Sequence, residues 1–258
     1  MALIHPTAII DPKAELDSTV SVGPYSIIGP DVAIGANTWI GPHVMLEGPT
    51  TIGRDNKIHS FCALGGAPQD KKYDGAPTRL VIGDRNTIRE YCHFNRGTTQ
   101  DIGVTTLGDD NWIMAYVHIA HDCTVGNHTI FPNCATIAGH VNVGDYAIFG
   151  AFTIVHQFVT VGAHAITSMA TSLLNDLPPY CVAGGNSAKP FGINTEGLKR
   201  RGFSSAQIAN IKRGYNTIYR DGLQLAEAKA KLADEAKTQP ELQLFVDFFA
   251  SAKRGIIR

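Results

Sequence analysis

The chain has no apolar run approaching the roughly 20 residues that span a bilayer, so no integral membrane segment is expected. It has almost no net charge, with 22 Lys and Arg facing 23 Asp and Glu. That balance argues against a nucleic-acid partner and leaves only local basic patches. Cysteine is scarce: Cys62, Cys92, Cys123, Cys134 and Cys181 form an odd set without paired metal spacing. A disulfide framework is therefore not expected. The plain reading is a reduced, cytoplasmic protein that uses cysteine as a compact apolar residue. The opening MALIHPTAII offers neither a basic leader nor a long apolar segment, which argues against a signal peptide. Over most of the chain neither the 3.6-residue period of a helix nor the simple alternation of a strand is found.

What is there instead is a period of six. From Leu107, large apolar residues recur at Ile113, Ile119, Val125, Phe131, Ile137, Val143, Phe149, Val155 and Val161 without a miss. Four positions after each stands a small or β-branched residue, Cys123, Thr129, Ala135 and Val141 among them, with Asn111 the one amide. The first half keeps the beat in a frame displaced by one residue, from Ile4 through Leu64, and resumes it at Ile82, Ile88 and Phe94. This period predicts a mainly β chain wound as a parallel β-helix of hexapeptides, with about 18 residues to a coil. Glycine often follows the apolar residue (Gly23, Gly29, Gly35, Gly108, Gly126), which fits tight corners where a Cβ would crowd. The length leaves room for a solenoid over residues 1–190 and a helical domain over 191–258. Ser204 or Ser205 is placed to cap a helix to about Arg220. A second spans about Leu225 to Ala236, and Pro240 opens a third to about Ala252. This tail would cover the unpaired end of the solenoid.

Two breaks interrupt the coils. A polar, Gly/Pro-rich loop near residues 66–78 is ejected without loss of register, and loops of this kind on a rigid scaffold carry function. The second break, Asn95 to Gly103, produces the frame shift. None of the histidines falls on an inward position, and His5, His43 and His59 are read as solvated. Counting from Gly108, Gly126 and Gly144 as coil origins, His118 falls in column 10, His121 in column 13, His140 in column 14 and His156 in column 12. Stacked coils lie about 4.8 Å apart, so these imidazoles should gather on one edge. His128 and His164 share column 2 and are expected to face solvent. Two chemistries could use the edge: three imidazoles binding zinc, or one imidazole acting as general base while its neighbours bind anionic groups. Gly139, stacked on His121 with a bare N–H, favours the base. Strand alternation should point Asp122 away from His121.

With these residues on the page, the chain resembles the UDP-N-acetylglucosamine O-acyltransferases of lipid A biosynthesis over essentially its whole length. The resemblance is carried by Ile119-Ala120-His121-Asp122-Cys123-Thr124-Val125-Gly126-Asn127, Val155-His156-Gln157-Phe158, Gln69-Asp70, Lys72-Tyr73 and Arg96-Gly97-Thr98. The tail stretches Gly197 to Ser204, Asp247 to Ala250 and Arg254 to Arg258 make it specific. It implies a left-handed parallel β-helix, a homotrimer and active sites between neighbouring subunits. It also implies transfer of an (R)-3-hydroxyacyl group from the phosphopantetheine of acyl carrier protein to the 3-hydroxyl of UDP-N-acetylglucosamine, with no metal and no resident cofactor. Carried over by residue, His121 is the general base and the Gly139 N–H binds the oxyanion. Asp70, Lys72, His118, His140, His156 and Gln157 line the sugar and acyl pocket, and Asn194, Glu196, Arg200 and Arg201 hold the nucleotide. Separately from the resemblance, and on charge alone, Lys212, Arg213 and Arg220 are expected to meet the acidic carrier protein. The chain departs from some members at Asn95 and Ser187, where they carry histidine. It departs again at Met169, where longer-chain members have glycine, so a shortened acyl groove is expected.

Overall fold

The computed structural model describes residues 4–258. Each hexad contributes a short strand whose apolar residue points inward, as in Thr124–Val125 and Ile154–Val155. Stacked coils pair these strands in parallel at an 18-residue offset, Ile119 against Ile137 and Ile137 against Val155. Sheets of nine, eight and six strands result. They form the faces of a left-handed parallel β-helix. Ile40, Ile58, Ile88, Ile113, Phe131 and Phe149 stack on its axis, each no more than 1% exposed.

The corners are not turned by glycine. From Tyr25 to Ala170 the corner residue of nearly every regular hexad adopts positive φ and is not glycine, as at Tyr116 (64°), Asp122 (57°), His128 (56°), Cys134 (62°) and His140 (65°). Such backbone costs roughly 1–2 kcal/mol per residue, offset here by the ladders on either side. The recurrent glycines serve close approach between coils: a Cβ on Gly23 would lie 2.7 Å from the carbonyl carbon of Gly41 one coil along.

The inward small position also holds a polar ladder that the period alone does not mark. Asn56, Asn86 and Asn111 are buried. Asn86 Nδ2 donates to Asn56 Oδ1 (3.1 Å) and to Gly108 O (2.9 Å), and Asn111 Nδ2 donates to Asn86 Oδ1 (3.0 Å). Thr129 Oγ1 closes the ladder on Asn111 Oδ1 at 2.6 Å. With every amide partnered, burying it costs little.

Past Ser172–Leu173, strand Cys181–Gly184 pairs parallel to Ile166–Thr167 and antiparallel to Lys189–Ile193, so residue 190 falls inside a strand. Helices α1 (Thr195–Arg200), α2 (Ser205–Tyr219), α3 (Leu225–Glu235) and α4 (Gln243–Ser251) follow. Ser204 caps α2 in a reciprocal capping box with Gln207, and Pro240 opens a 3-10 turn ahead of α4. The bounds of the short α1 are not marked by spacing, because six residues carry no usable period. Tyr180, Leu198, Ile211, Leu232, Leu242 and Phe245 form the core of this part. The chain end returns to the last coil, where Ile257 N donates to Asp176 O (3.0 Å) and Asp176 N to Gly255 O (2.8 Å). No helix among the described residues is long and apolar enough to cross a membrane.

The expectation that His164 faces solvent is overturned. The helical part covers its corner, and the ring is buried between Tyr146 (4.9 Å) and Tyr180 (5.5 Å) with Phe203 at its edge. Burial, with the Arg201 charge nearby, pushes its pKa down to about 4. His43 does lie exposed, but sandwiched between the rings of Tyr25 and Phe61.

Candidate active site

The strand His118–Ile119 runs into a corner that presents His121 and Asp122. Positive φ at Asp122 breaks the alternation that would have turned the two side chains apart. The Asp122 carboxylate instead reaches His121 Nδ1 at 2.9 Å. It is fully buried and also accepts from Thr98 N (2.9 Å) and Thr98 Oγ1 (2.6 Å). A carboxylate that takes donors at both oxygens acts as an acceptor, so His121 Nδ1 carries the hydrogen and Nε2 keeps its lone pair. Thr98 belongs to the frame-shifting break, which thereby anchors the base of the dyad. Gly97 admits that approach, since a Cβ on it would meet Asp122 Oδ1 at 2.8 Å.

Gly139 lies directly over the His121 ring, where a Cβ would sit 2.6 Å from Cε1 and 2.8 Å from Nε2. Its N–H makes no hydrogen bond among the described residues, although the flanking amides of Ala138 and His140 donate to Val155 O and His121 O. One coil beyond Asp122, the His140 ring stands edge-on to His121 (4.9 Å) and flat on Phe158 (4.2 Å). His121 and His140 open onto a cleft of about 650 Å³ whose other walls are Gln69, Asp70, Lys71 and Lys72 of the ejected loop, Gln100 and Asp101 of the second break, and Gln157. Arg96 staples the ejected loop's base by donating to Gly48 O (3.0 Å) and Gly65 O (2.5 Å).

The predicted histidines do not all reach this cleft. His118 sits on the outer face of the nine-stranded sheet, stacked on His93 at 5.0 Å. Burial holds the pKa of both imidazoles below the ordinary value. His156 is exposed and contacts Gln157 O through Nδ1 (3.1 Å), at the margin of the site. A metal could find His121, Asp122 and His140 with ligand atoms within 4.8 Å of one another. The hydrogen bonds already filling both Asp122 oxygens argue against that use.

A family model described as Udp N-acetylglucosamine O-acyltransferase, domain 2, matches residues 176–257, and bacterial transferase hexapeptide repeats match residues 31–66 and 105–139. The acyl-(acyl-carrier-protein)–UDP-N-acetylglucosamine O-acyltransferase of Janthinobacterium is 60% identical over 262 residues, covering 100% of both chains. The Neisseria gonorrhoeae enzyme of the same name is 57% identical over 258 residues, again 100% of both. The chain belongs to the UDP-N-acetylglucosamine O-acyltransferase family. The solved Moraxella catarrhalis family member matches with a TM-score of 0.98 at 41% identity, covering 99% of this chain and 100% of that one. The Arabidopsis UDP-N-acetylglucosamine acyltransferase matches at 0.81 and 31%, covering 99% and 100%.

The remaining residues expected from the acyltransferase family do not line the cleft. Asn194 is buried. Its side chain caps α1, accepting from Gly197 N (3.1 Å), and donates to His164 O (3.1 Å). Glu196 pairs with Lys199 at 2.8 Å and Arg200 is exposed. Arg201 is half-buried over the Tyr146 ring, with Nη2 on Tyr146 O at 3.2 Å. Met169 is 74% exposed and does not line the cleft. The spacing does not single out Asp101 or Phe158 as residues of the cleft. Phe158 was reachable, since it shares a column with His140. Asp101 was not, because it lies in the break where the period gives no position.

Proposed function

We propose that the chain transfers an (R)-3-hydroxyacyl group from the phosphopantetheine thioester of acyl carrier protein to the 3-hydroxyl of UDP-N-acetylglucosamine, as an early step of lipid A biosynthesis. The observation that carries this reading is the Asp122–His121 pair beneath the unengaged Gly139 N–H, opening onto a polar cleft. Asp122 holds the Nδ1 hydrogen, and His121 Nε2 takes the proton of the sugar hydroxyl as its oxygen attacks the thioester carbonyl. The Gly139 N–H accommodates the oxyanion. Collapse of the intermediate breaks the C–S bond, and the thiolate takes the proton back from His121. Asp70, Lys72, His140 and Gln157 bind the sugar, and His118 and His156 flank it.

In the same reading the enzyme works as a cytoplasmic homotrimer without metal or resident cofactor. The β-helical residues up to 190 carry the chemistry. Asn194, Glu196, Arg200 and Arg201, in the helical part from 191 on, reach the nucleotide across a subunit boundary. Met169 shortens the acyl groove.

The test is acyl transfer to UDP-N-acetylglucosamine from a panel of 3-hydroxyacyl carrier proteins. His121→Ala should keep its fold and lose about 10²- to 10⁴-fold in rate. Full activity in that variant would remove His121 from the mechanism, and zinc bound stoichiometrically through the imidazoles would replace the base with a metal site.

A further inference from the structure

The segment Arg96 to Gly103 is tied to the site at more than its base. Thr98 holds Asp122, and Gln100 Nε2 donates to Lys72 O of the ejected loop at 3.4 Å. Beyond them Asp101 places its carboxylate 2.5 Å from His140 Nδ1, across 39 residues of sequence. The His140 ring is thereby fixed on three sides: Phe158 on its face, His121 at its edge and Asp101 on Nδ1. Nε2 has no partner among the described residues, and the side chain lines the cleft while only 13% exposed.

We infer that Asp101 is a positioning residue that sets the tautomer of His140, making its Nε2 a hydrogen-bond acceptor for a hydroxyl of the bound sugar. The inference rests on the acyltransferase reading for the identity of that sugar. An ionised carboxylate only accepts, so Nδ1 must carry the hydrogen, and in the neutral ring Nε2 is left as a lone pair. A neutral histidine side chain free in water favours the opposite arrangement, with the hydrogen on Nε2, which would meet a sugar hydroxyl as a donor. His121 and His140 then stand as parallel devices, each with a carboxylate on Nδ1 and a lone pair on Nε2. The Asp122 partner is buried and the Asp101 partner sits on a surface segment. A site built to accept from a substrate hydroxyl discriminates against sugars lacking it.

The experiment compares wild type, Asp101→Ala, His140→Ala and the double variant. Nitrogen NMR of the ring, in ligand-free protein at a pH where His140 is neutral, should show hydrogen on Nδ1 in the wild type and on Nε2 in Asp101→Ala. The KM for UDP-N-acetylglucosamine should rise about tenfold in Asp101→Ala, the worth of one lost hydrogen bond, with the KM for acyl carrier protein unmoved. The double variant should match His140→Ala alone, because Asp101 acts only through that ring. An unchanged tautomer in Asp101→Ala, additive losses in the double variant, or a lowered melting temperature without a tautomer change would overturn the inference. The NMR result is independent of substrate, so failure of the acyltransferase reading is seen separately, as wild-type protein that does not acylate UDP-N-acetylglucosamine.

Discussion

Gly139→Ala isolates the position of the His121 ring, the proposed base, from every other feature of the site. The backbone there has no positive φ, so alanine is conformationally admissible. The new methyl would lie 2.6 Å from Cε1, 2.8 Å from Nε2 and 3.1 Å from Nδ1 of His121. Carbon contacts at rest stand at about 3.5–4.0 Å, so the ring must retreat by about 1 Å. It cannot do so freely, since Nδ1 is held by Asp122 at 2.9 Å and the His140 ring stands 4.9 Å away. Overpacking of this kind costs about 1–3 kcal/mol of stability, which leaves a folded protein. A reacting group misplaced by about 1 Å loses on the order of 10² in rate. The Gly139 N–H survives the substitution, so the loss reports ring displacement rather than a missing oxyanion donor. The assay is steady-state acyl transfer to UDP-N-acetylglucosamine, with melting temperature and UDP-N-acetylglucosamine affinity measured on the same preparation. Wild-type kcat in a folded Gly139→Ala enzyme would refute the argument that the His121 ring position controls the chemistry.

Asn86→Ala should destabilise the chain by about 3–5 kcal/mol, since it leaves Asn111 N and Nδ2 and Gly108 O without partners inside the core; a melting temperature within a degree of wild type would count against the ladder. The pKa of His164 lies below the ordinary 6.5, at about 4, so its contribution is complete above pH 6.5 and is lost as pH falls, because the unfolded ring takes the proton first. At pH 5 the loss is about 2 kcal/mol relative to pH 8, and chemical denaturation of His164→Phe, which keeps the aromatic stack, should lack that slope. Met169→Gly should move acyl preference toward longer chains when donors are competed in one reaction, and an unchanged preference would remove Met169 from the groove.

Much of this molecule is legible one hexad at a time. Ile119, Val125 and Phe131 face inward because apolar burial is local in register, and a hexapeptide period marks a parallel β-helix. Ser204 and Pro240 announce helix starts through their own backbone chemistry. The alignment of His121, Gly139 and Gln157 follows from arithmetic on an 18-residue coil. The same arithmetic put His156 nearer the site than it stands and left His164 in solvent, because it counts columns without knowing what covers them.

The residue sequence by itself determined the coil, its inward positions and the edge that His121 and His140 share, since each depends only on spacing along a repeating backbone. Tertiary structure alone decided which carboxylate meets which imidazole. The left-handed corner at Asp122 reverses the expected alternation, and the break that shifts the frame swings Thr98 and Asp101 back over residues 24 and 39 positions away. Those contacts join segments whose separation carries no period, so nothing short of the folded chain brings them together.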